Sequence, residues 1–334
     1  MTAIRTAIMR AAAIAEVAVE RVFFRGDTAK LVIEPYHGYA TDEHLIARGR
    51  VLALRDAERD VRGGSRLQNA RQMFRLFATH EVADVAVSCG DVTAVSDAEG
   101  YFTLFLPRDV RTGWIDVTVT AQGAHAICPV LVPSPDAGLM VLSDIDDTMM
   151  KTGAYSTLRN LWTSFTGSVQ SREVFPGAVE LMRMLHDDGR NPVYYVSSSP
   201  WNFHGFLESV FDRARLPTGP KFLKDYGFSK DQFITSSHGD HKGRAIDVMM
   251  AANPRLPVVL IGDTGQHDAR IYADVAVRHP GRVLHVVLRA TPDRLDVQDK
   301  LQIGRLRAMN VSVSVAPQYQ DALARLAPAV RPAA

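Results

Sequence analysis

Leu139, Met140, Val141 and Leu142 form an uninterrupted apolar run that ends, after Ser143, on two carboxylates two residues apart, Asp144 and Asp146. A run of this kind suits a strand covered on both faces, and so a parallel sheet with helices on either side. The rest of the chain keeps the matching rhythm. Helical candidates at 177–187, 201–211, 242–251 and 268–273 alternate with strand candidates at 192–196, 232–236, 258–261 and 283–288. The alternation predicts an open α/β sheet over 139–300, followed by a short VSVSV strand and an alanine-rich helix as a C-terminal extension over 301–334.

At 334 residues the chain is long enough for two domains, and the texture ahead of the apolar run is different. Residues 21–24, 29–34 and 47–54 are apolar or β-branched runs broken by polar and glycine-containing segments, and 69–78 reads as a helix around Met73, Phe74, Leu76 and Phe77. VADVAVSCG, VTAVSDAEGYFTLFLP and WIDVTVTA then alternate as antiparallel strands packed on one face do, with a turn at Asp97, Ala98, Glu99 and Gly100. The expectation for 21–135 is a small β-sandwich-like domain, closed by a linker at Pro129, Pro133 and Pro135. The segment VSDAEGYFTLFLP is similar to the turn and strand of transthyretin-like accessory sandwiches. Residues 1–20 read as a surface helix, because Glu16 and Glu20 interrupt the alanine-rich run too early for an export signal or a membrane span. Ile4, Ile8, Ala11 and Val17 recur at roughly helical spacing, which keeps an interfacial helix with peripheral membrane contact as the alternative.

Thirty-eight Lys and Arg against 37 Asp and Glu leave a formal charge of +1, so no long-range field favours nucleic acid or an acidic membrane. Cys89 and Cys128 match no metal or redox spacing and are expected as buried thiols in a reducing compartment, the cytoplasm.

In doubly wound sheets the reacting groups sit on loops leaving the C-terminal ends of strands. Asp144 and Asp146 leave such a strand with Thr148 close behind, a charge cluster that a bound divalent cation would offset, and carboxylates are the hard ligands Mg²⁺ selects. In VYYVSSSPW, Ser197 directly follows an apolar strand, and its hydroxyl is a candidate to hold a phosphoryl oxygen, with Ser198 as the competing choice. Lys242, at the expected first turn of a helix, would offset charge on substrate and aspartates. In VVLIGDTGQHD, Gly262 allows close backbone approach, Asp263 offers a cation ligand and Asp268 fixes a bound water or Lys242. Singly, each has a plainer use: Asp144 and Thr148 as helix caps, Ser197 as a loop hydroxyl, Lys242 as a solvated helix residue, Asp263 as the cap of the next helix. Their order, each at an element boundary, is what makes the set specific.

That order, Asp-x-Asp-x-Thr, Ser, Lys, then Gly-Asp with a later Asp, resembles the haloacid dehalogenase superfamily. SDIDDT, REVFPG, YVSSSPWNF, GPKFLKDYG, the pair His241 and Lys242, and IGDTGQHDARIY further resemble the catalytic domain of the actin-patch phosphatidate phosphatase family, from roughly 140 to 290, and PYHGY at 35–39 is similar to a short segment upstream of it. The resemblance implies a Rossmann-like fold and a Mg²⁺-dependent phosphomonoester hydrolase in which Asp144 forms an aspartyl-phosphate. It implies that Asp146 acts as acid and then base, and that the carboxylates of Asp144 and Asp263 and the backbone carbonyl of Asp146 ligate the metal. It also favours a lipid phosphate as substrate.

Substrate contacts are more open. Tyr155, Leu158, Trp162 and Phe165 offer either an apolar surface for a leaving group or an internal helix stripe; Trp201 either walls the phosphate pocket or anchors the next helix; Lys221 and Lys224 either meet a second anionic group or are solvated. His238, His241 and His267 lack zinc-ligand spacing and are expected to hydrogen-bond locally. Two rival functions keep the same skeleton: a phosphotransferase with an acceptor other than water, and a non-catalytic phospholipid-binding interaction protein.

Overall fold

The computed structural model describes residues 30–54, 80–151, 174–224, 238–290 and 295–330. The expected helices at 1–20 and 69–78, the strands at 21–24 and 232–236, and the aromatic positions Tyr155, Leu158, Trp162 and Phe165 lie outside the described residues.

The first unit contains β1 (Lys30–Ala40), β2 (His44–Leu54), β3 (His80–Glu81), β4 (Ala86–Cys89), β5 (Val92–Val95), β6 (Tyr101–Pro107), β7 (Gly113–Ala121) and β8 (Ala124–Val132). Hydrogen bonds link them into a single eight-stranded sheet, with β2 pairing β1, β3 and β6. In β7 every second residue is buried, so Ile115, Val117 and Val119 face a core shared with Val51, Phe102 and Leu104. The expected turn forms: Gly100 N–H donates to Asp97 O (2.9 Å), and Gly100 takes a φ of 80° where a Cβ would lie 2.4 Å from Val51 O.

β1 and β2 run further than the apolar runs predict. PYHGY is part of β1, with Pro35 opposite Gly49 and a register shift between Tyr36 and Tyr39 that absorbs the irregular residues. The strands turn at Thr41, whose Oγ1 accepts from the N–H of Glu43 (3.3 Å) and of His44 (2.9 Å).

The second unit is a six-stranded sheet of β9 (Met140–Asp144), β10 (Val193–Pro200), β11 (Lys221–Lys224), β12 (Val258–Asp263), β13 (Val283–Arg289) and β14 (Ser312–Ala316). All neighbours are parallel, in the order β11-β10-β9-β12-β13-β14. The helices are α1 (Pro176–His186), α2 (His204–Ala214), α3 (His238–Ala252), α4 (Asp268–Arg278), α5 (Val297–Ala308) and α6 (Gln320–Val330). Alternation along β9 explains the two layers. Val141 packs with α1, α2 and α6 on one face, and Met140 and Leu142 pack with α3, α4 and α5 on the other.

Two elements were not legible in the hydrophobic pattern. β11 is a four-residue strand containing two lysines, and α5 is a strongly polar helix started by Asp296, whose side chain accepts from Asp299 N–H. The position 301 falls inside α5, and β14 pairs with β13 as the edge of the same sheet, so the C-terminal residues are built into the α/β core. Among the described residues no helix is long and apolar enough to cross a membrane. Cys89 and Cys128 are both free thiols, the second fully buried.

Candidate active site

β9 and β12 end side by side, because Leu260 pairs with Leu142 and Ile261 with Ser143. This register delivers Asp144 and Asp263 to the same point, at the place in the sheet where strand order reverses. Asp268 opens α4, and Lys242 reaches in from the second turn of α3 rather than the expected first. Lys242 Nζ lies 2.8 Å from Asp144 Oδ1 and 2.7 Å from Asp268 Oδ1, with all three residues buried. Asp268 Oδ2 accepts from the Asp263 backbone N–H at 3.2 Å, and Thr148 Oγ1 donates to Asp144 Oδ2 at 3.0 Å. One oxygen each from Asp144, Asp263 and Asp268 lie within 4.8 Å of one another.

One ammonium among three buried carboxylates leaves excess negative charge. Burial, assisted by Asp268, Asp263 and Asp146 and opposed by Lys242, holds the Asp144 carboxyl well above its usual range. Burial and Asp268 push Asp263 up to about 7. A carboxyl whose folded-state pKa is raised contributes stability that is present below its ordinary value and is lost as pH rises through the folded value. Metal-free protein is therefore expected to lose stability as pH rises from 3.8 towards about 7. Glu208, whose pKa is depressed, loses its contribution only below its ordinary 4.5, whereas burial lowers His186, His204 and His285, so these three add stability as pH rises towards their ordinary 6.5. The carboxylate contribution is isolated by comparison: in EDTA, the thermal midpoint of Asp263→Asn should gain on that of the parent between pH 5 and pH 8, and no gain contradicts the charge excess.

The structure gives several expected site residues more defined positions. Asp146 does not aim its carboxylate at the Asp144, Asp263 and Asp268 cluster; its Oδ2 accepts from Ser197 Oγ (2.6 Å) and Ser199 Oγ (2.8 Å). The one hydroxyl proton of fully buried Ser197 is thereby committed to Asp146, and its oxygen accepts from Ser199 N–H at 2.9 Å. Ser199 was missed by the sequence reading; its only signal was membership of the SSS run. Ser198 is half-buried between them. The close approach at Gly262 comes from α4, since a Cβ there would lie 2.4 Å from Asp268 Oδ2 and 2.7 Å from Tyr272 Oη. Tyr319, beyond β14, donates to Thr148 O at 2.6 Å, and Arg289 at the end of β13 donates to Asp147 O. Of the histidines, His267 is exposed just ahead of α4, and neither metal-competent cluster among the described residues includes His241 or His267.

Trp201 and Lys221 lie elsewhere. Trp201 stacks on Tyr36 of the β domain, with ring centroids 4.4 Å apart. Lys221 is buried, with Nζ 2.7 Å from Glu208 Oε1 and 4.6 Å from the Phe211 ring centre, so it is neither a solvated lysine nor aimed at a second substrate anion. Its neighbour through that oxygen is His37 of PYHGY, 3.1 Å from Glu208 Oε1. Lys221→Met should cost about 1–3 kcal/mol, because it strips the half-buried Glu208 carboxylate of its lysine and leaves only His37 and His204 against it. Urea unfolding reads that loss; a change in KM without one would return Lys221 to the substrate. Lys224 ends β11, opposite Pro200. Trp162 lies outside the described residues.

Residues 139–290 match the family model described as the phosphatidate phosphatase APP1 catalytic domain. The stretch is close to that family. Phosphatidate phosphatase APP1 of Saccharomyces cerevisiae is 32% identical over 153 residues, which cover 46% of this chain and 26% of the yeast protein. An uncharacterised protein of Schizosaccharomyces pombe is 25% identical over 153 residues, 46% of this chain and 25% of its own length. The chain thus spans about a quarter of the length of these curated relatives in the matched region. Among solved structures, the Pnkp1/Rnl/Hen1 complex gives a TM-score of 0.34 at 12% identity, over 51% of this chain and 55% of that one, too low to bear on the site. The APP1-like stretch contains Asp144, Asp146, Ser197, Lys242, Asp263 and Asp268, and it leaves out the whole β domain as well as Tyr319.

Proposed function

We propose that this chain is a Mg²⁺-dependent phosphomonoester hydrolase working through an aspartyl-phosphate on Asp144, and that its substrate is a lipid monoester of the phosphatidate type. The observation that carries the reading is the buried meeting of Asp144, Asp263, Asp268 and Lys242 at adjacent strand ends. Counted from β9, the sheet order is 3-2-1-4-5-6, which supports a Rossmann-like, haloacid dehalogenase-type domain behind the eight-stranded β unit. The yeast relative carries phosphatidate phosphatase in its name, and this supports the lipid substrate.

The cluster fits a hard cation. Its donors are all carboxylate oxygens, the negative charge is in excess, and Asp263 Oδ2 is buried without a hydrogen-bond partner. Asp144 and Asp263 would hold the ion, with Asp268 within reach; the backbone carbonyl of Asp146, the remaining candidate ligand, accepts from Gln266 Nε2 at 3.0 Å. When bound, Mg²⁺ supplies positive charge against the phosphoryl oxygens.

The residues of the chain divide the remaining work. A carboxylate oxygen of Asp144 attacks phosphorus, the new O–P bond forming as the ester O–P bond opposite it breaks. Asp146, in its acid form, gives its proton to the departing alkoxide and then takes one from the water that attacks the aspartyl-phosphate, releasing inorganic phosphate and restoring Asp144. Lys242 keeps an ammonium against Asp144 throughout, its proton held tightly by Asp144 and Asp268 despite burial. Ser197 and Ser199 hold the Asp146 carboxylate in place.

The test is phosphate release from phosphatidate, lysophosphatidate and a soluble monoester, each with Mg²⁺ and with EDTA. Release with Mg²⁺, its loss in EDTA, and a preference for the lipid esters are expected. Folded, Mg²⁺-loaded protein that releases phosphate from none of them would overturn the reading.

A further inference from the structure

We propose that Tyr36, on the β domain, is a positioning residue for this reaction: its ring, stacked on Trp201, fixes the strand end that carries Ser197 and Ser199, and through them the Asp146 carboxylate. The inference rests on the role given to Asp146 above.

The connection is short and stiff. Ser199 Oγ is 2.8 Å from Asp146 Oδ2, and only Pro200 separates Ser199 from Trp201. Pro200 has its φ locked at −68°, and a residue before proline is confined to extended backbone, so few soft torsions lie between the indole and the hydroxyl. Trp201 packs partly on the core of its own domain and beside His204, and its ring also meets the β domain. Its ring lies 4.4 Å from Tyr36 at an interplanar angle of 22° and 6.2 Å from Tyr101, and the Arg48 guanidinium sits 5.7 Å from its centre. The tyrosine is 2% exposed, and its hydroxyl donates to Glu34 of its own strand, leaving the ring face as its contribution to the catalytic domain.

The docking around the stack is polar and directional. His37 Nδ1 and His204 Nε2 both lie against Glu208 Oε1, at 3.1 and 3.2 Å, and Arg48 Nη2 donates to Lys221 O at 3.2 Å. These bonds set β1 and β2 against α2 and β11, and they place the Tyr36 ring over Trp201, two residues beyond Ser199. The β domain, outside the APP1-like stretch, thus completes the machinery that holds the proton-transfer group.

The experiment uses the full chain with Mg²⁺ and p-nitrophenyl phosphate, comparing Tyr36→Leu, Tyr36→Phe and Tyr39→Leu. Misplacing a catalytic group by about an ångström costs up to roughly a hundredfold, so Tyr36→Leu is expected to lower kcat about tenfold to a hundredfold with KM little changed. Tyr36→Phe keeps the stacking ring and should restore kcat. Tyr39→Leu perturbs the same interface at Phe222, 5.6 Å away, and reaches Trp201 only through Arg48, so its kcat should fall much less than that of Tyr36→Leu. Wild-type kcat in Tyr36→Leu, or an equal fall in Tyr39→Leu, overturns the proposal. Hydrogen exchange of the amides of Ser197, Ser198, Ser199 and Trp201 reads the positioning without activity: it should quicken in Tyr36→Leu, and unchanged exchange overturns the proposal. If Tyr36→Leu does not fold, Trp201→Leu is read by the same exchange. A wild-type protein that releases no phosphate would bring down the functional reading alone, since the exchange result still decides the stack.

Discussion

Asp144→Asn is expected to fold as the parent does and to lose turnover on the order of 10⁴-fold or more, since an amide is a poor nucleophile towards phosphorus. The geometry favours a well-folded variant. The Asn oxygen can face the Lys242 ammonium, 2.8 Å from the present Oδ1, and the amide nitrogen can face Thr148, whose hydroxyl turns from donor to acceptor. The substitution also removes one negative charge from a buried cluster that has too many, so metal-free Asp144→Asn should unfold at a temperature equal to or above that of the parent at pH 8. Phosphate release under single-turnover conditions, together with thermal unfolding, checks both halves. Turnover at the parental rate would remove Asp144 from the chemistry.

Lys242→Met should be the most destabilising change in the site. The methionine retains much of the volume of the side chain, so the loss isolates the charge. Asp144 and Asp268 are left facing each other, both buried, with Asp263 adjacent. Removing one partner of a buried ion pair costs about 3–5 kcal/mol. The cost has a pH signature. Asp263 is pushed up to about 7 with Lys242 present and further up without it, so protonation relieves the cluster at low pH, and urea unfolding should show a large deficit at pH 8 and a smaller one at pH 5. Saturating Mg²⁺ at pH 8 should return part of the deficit by taking the place of the ammonium among the carboxylates. Equal stability of parent and Lys242→Met at pH 8 would mean that Lys242 does not neutralise the cluster.

Much of the site was readable along the chain because the relevant signals are local. An apolar run ending in Asp144 needs cover on both faces, and the same holds for Val258, Val259, Leu260 and Ile261 ahead of Asp263. Strands buried on both faces lie side by side, so the two aspartates had reason to meet. The partners of the remaining groups carried no such mark. Ser199 is one of three serines in a row, and only its hydrogen bond to Asp146, 53 residues away, sets it apart. Lys221 looks like any solvated lysine until β11 buries it against Glu208. Gly262 was legible as a close approach, but what approaches is the side-chain pair Asp268 and Tyr272, one helix turn apart on α4.

From sequence alone came the layered α/β unit with its carboxylates at strand ends, because hydrophobic periodicity reports which face of an element is buried and a charged residue after a buried strand stands out against it. Tertiary structure alone decided what each buried group faces: Asp146 two hydroxyls, Lys221 a carboxylate, and Trp201 a tyrosine from the β domain. Periodicity carries the depth of a side chain but not the identity of its neighbour, and that identity arises only when segments distant in the chain are packed together.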